Sequence, residues 1–170
     1  MQLSYALIFA ASIGMPPDDA PPKSDFRITK PIIVTKVTGY KDFEASTDNR
    51  LTPDDKLTIY YEPTNHIIEK TKDGYRALFA QDGRLRKKGG KTAVWQKEKM
   101  FTYEAKNKIP PREIYLKTDM SLKSLPPGEY ELDLTLHDGL AKPPALVMGT
   151  VAFEVIPAPA EKPAKDEVKK

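Results

Sequence analysis

The sequence contains no cysteine. That excludes a disulfide framework, a thiolate zinc site and a cysteine nucleophile. Exported domains often carry disulfides, but a domain of this size can stand on a hydrophobic core alone, so the lack leans towards a bacterial source. Histidine is nearly absent too: His66 and His137 are the 2 in the chain. A hydrolytic triad needs a base held by a carboxylate and set beside a nucleophile. His137 and Asp138 are sequence neighbours, which on a strand point to opposite faces. His66 closes the turn sequence Pro63-Thr64-Asn65-His66, and no glycine-flanked serine elbow is present. Both histidines are therefore expected in solvent. No catalytic residue, metal ligand set or cofactor is expected.

Three further features are missing. No stretch has convincing helical amphipathicity. No single sign of charge dominates: 27 basic residues face 24 acidic ones, for a net charge of +3. That is a mixed surface without a strong pull towards nucleic acid. No apolar run is long enough to span a bilayer, which takes about 20 residues. The run from Leu3 to Met15 instead suits the hydrophobic region of a signal peptide. Ala10, Ser12 and Gly14 supply small residues for cleavage, although no Lys or Arg precedes the run. The other reading is a frayed apolar end or an extra core strand.

Proline is plentiful, with 16 in 170 residues, concentrated at both ends and at predicted corners. Length, prolines and a 39% hydrophobic content fit one compact domain with unfolded flanks. The expected division is a signal peptide over 1–14, a Pro-rich linker over 15–25, a β domain over 26–157 and a disordered Pro/Ala/Lys tail over 158–170. The expected location is extracytoplasmic.

Alternation with a period of two marks the strands. After Leu125-Pro126-Pro127-Gly128, Tyr130, Leu132, Leu134 and Leu136 take one face, and Glu131, Asp133, Thr135 and His137 the other. Leu57, Ile59 and Tyr61 alternate within Lys56 to Glu62, Tyr75, Ala77 and Phe79 in the next long strand, and Val147 through Val155 in the last. Ile32 to Val37 is β-branched but for Lys36, with Pro31 marking an edge and Tyr40 to Ala45 continuing past a bend at Gly39. Asp73-Gly74 and Asp82-Gly83 read as turns, and Gly89-Gly90 as a hairpin. Val94 to Tyr103 and Arg112 to Thr118 are further strands. Asp119 to Leu125 is a loop or single helical turn. The count is about seven, giving an all-β, antiparallel sandwich.

From Pro31 to Ile156 the chain resembles the immunoglobulin-like and fibronectin type III-like domains of bacterial exported proteins. The residues that carry this are Leu125-Pro126-Pro127-Gly128-Glu129-Tyr130-Glu131-Leu132 and Val151-Ala152-Phe153-Glu154-Val155. The resemblance implies a seven-stranded immunoglobulin-like sandwich with Tyr130 as a structural tyrosine corner, its hydroxyl bonded back to the preceding loop. It implies no catalytic residues. The chain lacks the paired cysteines of antibody domains.

Three clusters invite a function. Arg84, Arg86, Lys87, Lys88 and Lys91 surround Gly89-Gly90. On a protruding hairpin they suit an anionic surface polymer, lipid head groups or nucleic acid, with Trp95 near enough to stack. On an edge strand they simply discourage pairing. Tyr60, Tyr115 and Arg76 fall opposite the predicted core parity. Sharing one exposed face they form a patch for a partner; under a cover they are packing. Asp48, Asn49, Asp54 and Asp55 share one loop, without EF-hand spacing, and read as turn formers or oxygen ligands for calcium. The function expected is a non-catalytic module for adhesion, scaffolding or protein interaction, its partner a protein or envelope polymer. The alternative is polyanion binding through 84–91.

Overall fold

The computed structural model describes residues 25–158. The leader and most of the linker and tail expected above therefore lie outside the described residues. Twelve strands follow one another: β1 (Arg27–Ile28), β2 (Ile32–Gly39), β3 (Asp42–Ala45), β4 (Arg50–Leu51), β5 (Lys56–Tyr61), β6 (Pro63–Thr64), β7 (Glu69–Thr71), β8 (Gly74–Lys87), β9 (Ala93–Asn107), β10 (Leu116–Ser121), β11 (Gly128–Asp138) and β12 (Ala145–Val155). No helix occurs among the described residues, so none of them forms one long and apolar enough to cross a membrane.

Two larger sheets close on one core, and β1 and β6 form a separate two-stranded sheet. The smaller runs β10-β5-β2-β3. The larger runs β4-β12-β11-β8-β7, with β9 also paired to β8. Pairing is antiparallel except that β4 lies parallel to β12, so the larger sheet is mixed. Ile33, Leu57, Ile59, Tyr61 and Leu116 from the first sheet meet Ala77, Phe79, Leu85, Leu132, Leu134, Leu136, Val151 and Phe153 from the second in one cluster. Several of these, including Leu57, Phe79, Leu85 and Leu134, are wholly buried. Burying each such side chain contributes about 1.5–3 kcal/mol.

β11 is the centre of that core. Its register against β12 runs unbroken from Gly128↔Val155 to Asp138↔Ala145, and against β8 from Tyr130↔Lys87 to Asp138↔Phe79. Tyr130, Leu132, Leu134 and Leu136 all point inward, as their alternation requires. The Tyr130 hydroxyl donates to the Pro126 carbonyl at 2.7 Å. The chain enters the strand through Gly128 at φ 151°.

Several expectations fail for definable reasons. Asp82-Gly83 is not a turn but the middle of β8. Gly83 is there because Met100 and Trp95 lie where a Cβ would project. Opposite it β9 bulges: Gln81 pairs with Phe101 but Gly83 with Lys97. Gly39 does not bend one strand; it ends β2, and the chain reverses through Tyr40 and Lys41 into β3. Pro31 stands just before β2, whose Ile32 and Ile33 pair with β5 and whose Val34 to Gly39 pair with β3, so the strand beside the proline has a strand partner on one side. The strand expected over Arg112 to Thr118 is displaced to Leu116–Ser121 by Pro110 and Pro111, so Asp119 to Ser121 are strand rather than loop. Among the described residues the count rises to twelve, because short pairings such as β1 with β6 and β7 with β8 carry no alternation of their own.

Candidate functional site

The long β8–β9 hairpin turns at Gly89, whose φ of 71° needs glycine. β8 is not an edge strand: it is paired on both sides, by β11 and by β9. The basic cluster consequently faces carboxylates. Arg86 lies opposite Glu131 and diagonal to Asp133. Its guanidinium bonds Glu131, and its Nε donates to Asp133 Oδ2 at 3.1 Å. Thr150 adds an Oγ1–H donor to Asp133 Oδ1 at 2.8 Å. Burial alone raises the Asp133 pKa, but the Arg86 and Thr150 bonds outweigh it and hold the carboxyl below its ordinary value. Lys88 reaches Glu129 at 2.6 Å, and the Arg84 guanidinium donates to the Lys91 carbonyl. Lys87 and Lys91 are exposed and form no ion pair among the described residues. Trp95 is partly buried against the core rather than a free stacking platform.

Tyr60 and Tyr115 share a face, their rings stacked with centroids 5.4 Å apart. Tyr60 is not exposed, however: Phe43 covers it from β3 at 4.5 Å, and it is 2% accessible. Its hydroxyl accepts the Lys41 backbone N–H at 2.8 Å and donates to Glu62 Oε1 at 2.8 Å. It therefore pins the β2–β3 turn, where Lys41 takes φ 58°. Burial and the Glu62 carboxylate push its pKa up to about 12, against the Lys41 donor. Arg76 belongs to the other sheet, between Glu69 at 3.0 Å and Glu104 at 3.6 Å.

Tyr115 instead joins residues that alternation does not single out. The sandwich is open between β9 and the segment leading into β10. Val37, Phe101, Tyr103, Glu113, Tyr115 and Lys117 line a cleft of about 400 Å³ there. It shares Tyr103 and Glu113 with a larger cleft of about 940 Å³, walled by Ile109, Pro110, Pro111 and Arg112. Ile109 is 74% exposed at its rim and Tyr103 36%. Pro110-Pro111 holds this wall extended without strand pairing. Those prolines were the available sequence signal: beside an exposed isoleucine they mark a shaped surface rather than a mere connection.

The histidines, the acidic loop and Gln81 make contacts within the fold. His66 is not solvated: its ring meets Phe79 edge-on at 5.1 Å, and its buried nitrogens lack hydrogen-bond partners among the described residues. Burial pushes its pKa down, partly offset by the nearby Asp138 carboxylate and Pro63 carbonyl. His137 is not simply solvated either, since Nε2 sits 2.8 Å from Asp82 Oδ2. In the acidic loop, Asp48 accepts the Arg50 N–H and Asp55 the Thr52 N–H. No group of three or more acidic or histidine side chains is placed to hold a metal among the described residues. Gln81 Oε1, in the core, accepts from the Tyr61 hydroxyl and from Thr118 Oγ1 at 2.9 Å. No protein-family model, curated protein or solved structure matches this chain.

Proposed function

We propose that this chain is a non-catalytic interaction module of immunoglobulin-like type, working outside the cytoplasm of a bacterium, that binds another protein through the cleft between β9 and residues 108–117. The observation that carries this reading is the cleft itself: Tyr103, Ile109, Pro110 and Tyr115 give it apolar walls, and Arg112, Glu113 and Lys117 supply charged groups. Exposed aromatic and apolar groups rimmed by charge are what a partner surface offers. The Tyr130–Pro126 bond just before the penultimate strand supports the immunoglobulin-like assignment. The apolar run from Leu3 to Met15 supports export. The geometry favours this cleft over polyanion binding at 84–91, because Arg86 and Lys88 are already committed to Glu131, Asp133 and Glu129.

A photo-crosslinking residue placed at Ile109, compared with one at Val94 on β9, tests the reading in producing cells. A discrete crosslinked protein at Ile109 alone, lost when Tyr103→Ser is added, is the expected result. Equal labelling at both sites contradicts it. So does retention on heparin that Lys87→Glu and Lys91→Glu abolish. Mass spectrometry of the mature chain tests export, with cleavage near Gly14 expected and an intact cytoplasmic chain contradicting it.

A further inference from the structure

Three of the strands that border the two larger sheets are guarded. β9 carries Lys97, Glu98, Lys99, Glu104 and Lys106; β10 carries Lys117 and Asp119; β3 is short and carries Asp42 and Glu44. Charges and short length are how proteins keep strand edges from pairing. β12 is not guarded in this way. From Ala145 to Phe153 it has no charged residue and no proline. Its outer neighbour β4 pairs only with Glu154 and Val155.

Hydrogen-bond parity says which groups are left over. Glu154 and Ile156 donate away from β11, to the carbonyls of Asn49 at 3.0 Å and Leu51 at 2.8 Å. The even-numbered residues therefore aim their N–H and C=O groups outward, and at Leu146, Met148 and Thr150 these meet no partner among the described residues. Neighbouring backbone at 28–31 does not take them: Thr29 donates to the Glu62 carbonyl at 2.9 Å. Ile28 and Pro31 pack instead against the inner side of Gly149. Leu146 and Met148 are each 61% exposed.

We infer that this edge pairs with the same edge of a second copy of the chain, antiparallel, with Met148 on the twofold axis. The free window runs from Ala145, just after Pro143-Pro144, to Val151, just before the stretch that Asn49 and β4 cover. Met148 is its middle residue. Antiparallel pairing about that residue sets Leu146 opposite Thr150 of the partner subunit and keeps each β4 clear of the other copy, whose chain leaves the strand at Pro144. Every free donor of Leu146, Met148 and Thr150 then finds an acceptor. A twofold contact sets a strand against itself, so any charge on the axis would meet its like. A neutral stretch centred on methionine fits that condition. Leu146 and Met148 from both copies merge into one apolar strip across the joined sheet. This edge lies across the larger sheet from the β9 cleft, so pairing here does not depend on the partner binding proposed above.

Sedimentation of the full chain across a concentration series, with residue-resolved amide exchange, tests the inference. The expected result is a monomer–dimer equilibrium in which the amides of Leu146, Met148 and Thr150 gain protection with concentration. Met148→Lys should weaken dimerisation about tenfold or more, with the circular dichroism and melting temperature of the monomer unchanged. Leu146→Lys should act likewise, and Val94→Lys on the β9 edge should not. A chain monomeric up to about 1 mM, a limit for very weak association, overturns the inference. So does a dimer indifferent to Met148→Lys. Concentration-independent protection of the three amides also overturns it, since the edge would then be covered within one chain.

Discussion

Tyr60 shows how one side chain can pass for a surface residue. Its parity points away from the Leu57–Ile59–Tyr61 core, yet Phe43 closes over it and its hydroxyl joins the Lys41 turn to the buried Glu62 carboxylate. Tyr60→Phe keeps the ring and deletes the bridge. Leaving a buried acceptor unmatched costs about 1–3 kcal/mol, so a fall of that size in unfolding free energy by urea titration is expected. No change would mean the hydroxyl is redundant. Gln81 stands in a similar relation to Tyr61 and Thr118 inside the core. Gln81→Leu should cost as much, because it strands two hydroxyls rather than removing a polar group cleanly.

At the level of elements, β11 was legible because nothing local competes with its alternation. The Pro-Pro-Gly entry and four inward residues agree with each other. The middle of β8 was not legible. Asp-Gly is a common turn pair, but here Asp82 Oδ1 accepts the Lys99 N–H at 2.8 Å, where Lys99 takes φ 48° in the β9 bulge. Gly83 makes room for the Met100 sulfur that the bulge brings in. Both residues serve a contact with another strand, which local pattern does not report. Asp82→Ala should speed amide exchange at Lys99 and peroxide oxidation of Met100, with β11 amides unaffected. Unchanged rates would show that the bulge holds without Asp82. The cleft was half legible: Tyr115 stood out, but Tyr103 and Ile109 join it only once β9 and the 108–116 segment face each other across the open side of the sandwich. The basic stretch at 84–91 looked like free charge because its carboxylates come from β11, about 45 residues later in the chain.

For the molecule as a whole, the titrating groups fix how stability depends on pH. Asp82, Asp119 and Asp133 are each held below the ordinary carboxyl value: burial opposes this, and donors from Lys99 and His137, from Lys56, Thr58 and Lys117, and from Arg86 and Thr150 outweigh it. A depressed carboxyl pKa stabilises the fold above the unfolded value of about 3.9, and that contribution is lost as pH falls through the folded value. Melting temperature should therefore drop below about pH 4, less steeply in Asp133→Asn. His66 adds an earlier slope, since its lowered pKa favours the neutral ring: stability should decline as pH falls from about 6.5, and His66→Phe should remove that decline. A flat profile from neutral to acid pH would contradict both assignments. Two sheets share one core about β11. Residue-resolved hydrogen exchange at low protein concentration is the decisive measurement of that arrangement. The amides of Leu132, Leu134 and Leu136 should exchange only by global unfolding, with a free energy equal to that from urea titration, and those of Ile109, Met148 and Thr150 far faster. Exchange of the β11 amides through a cheaper local opening would show that the core is not centred there.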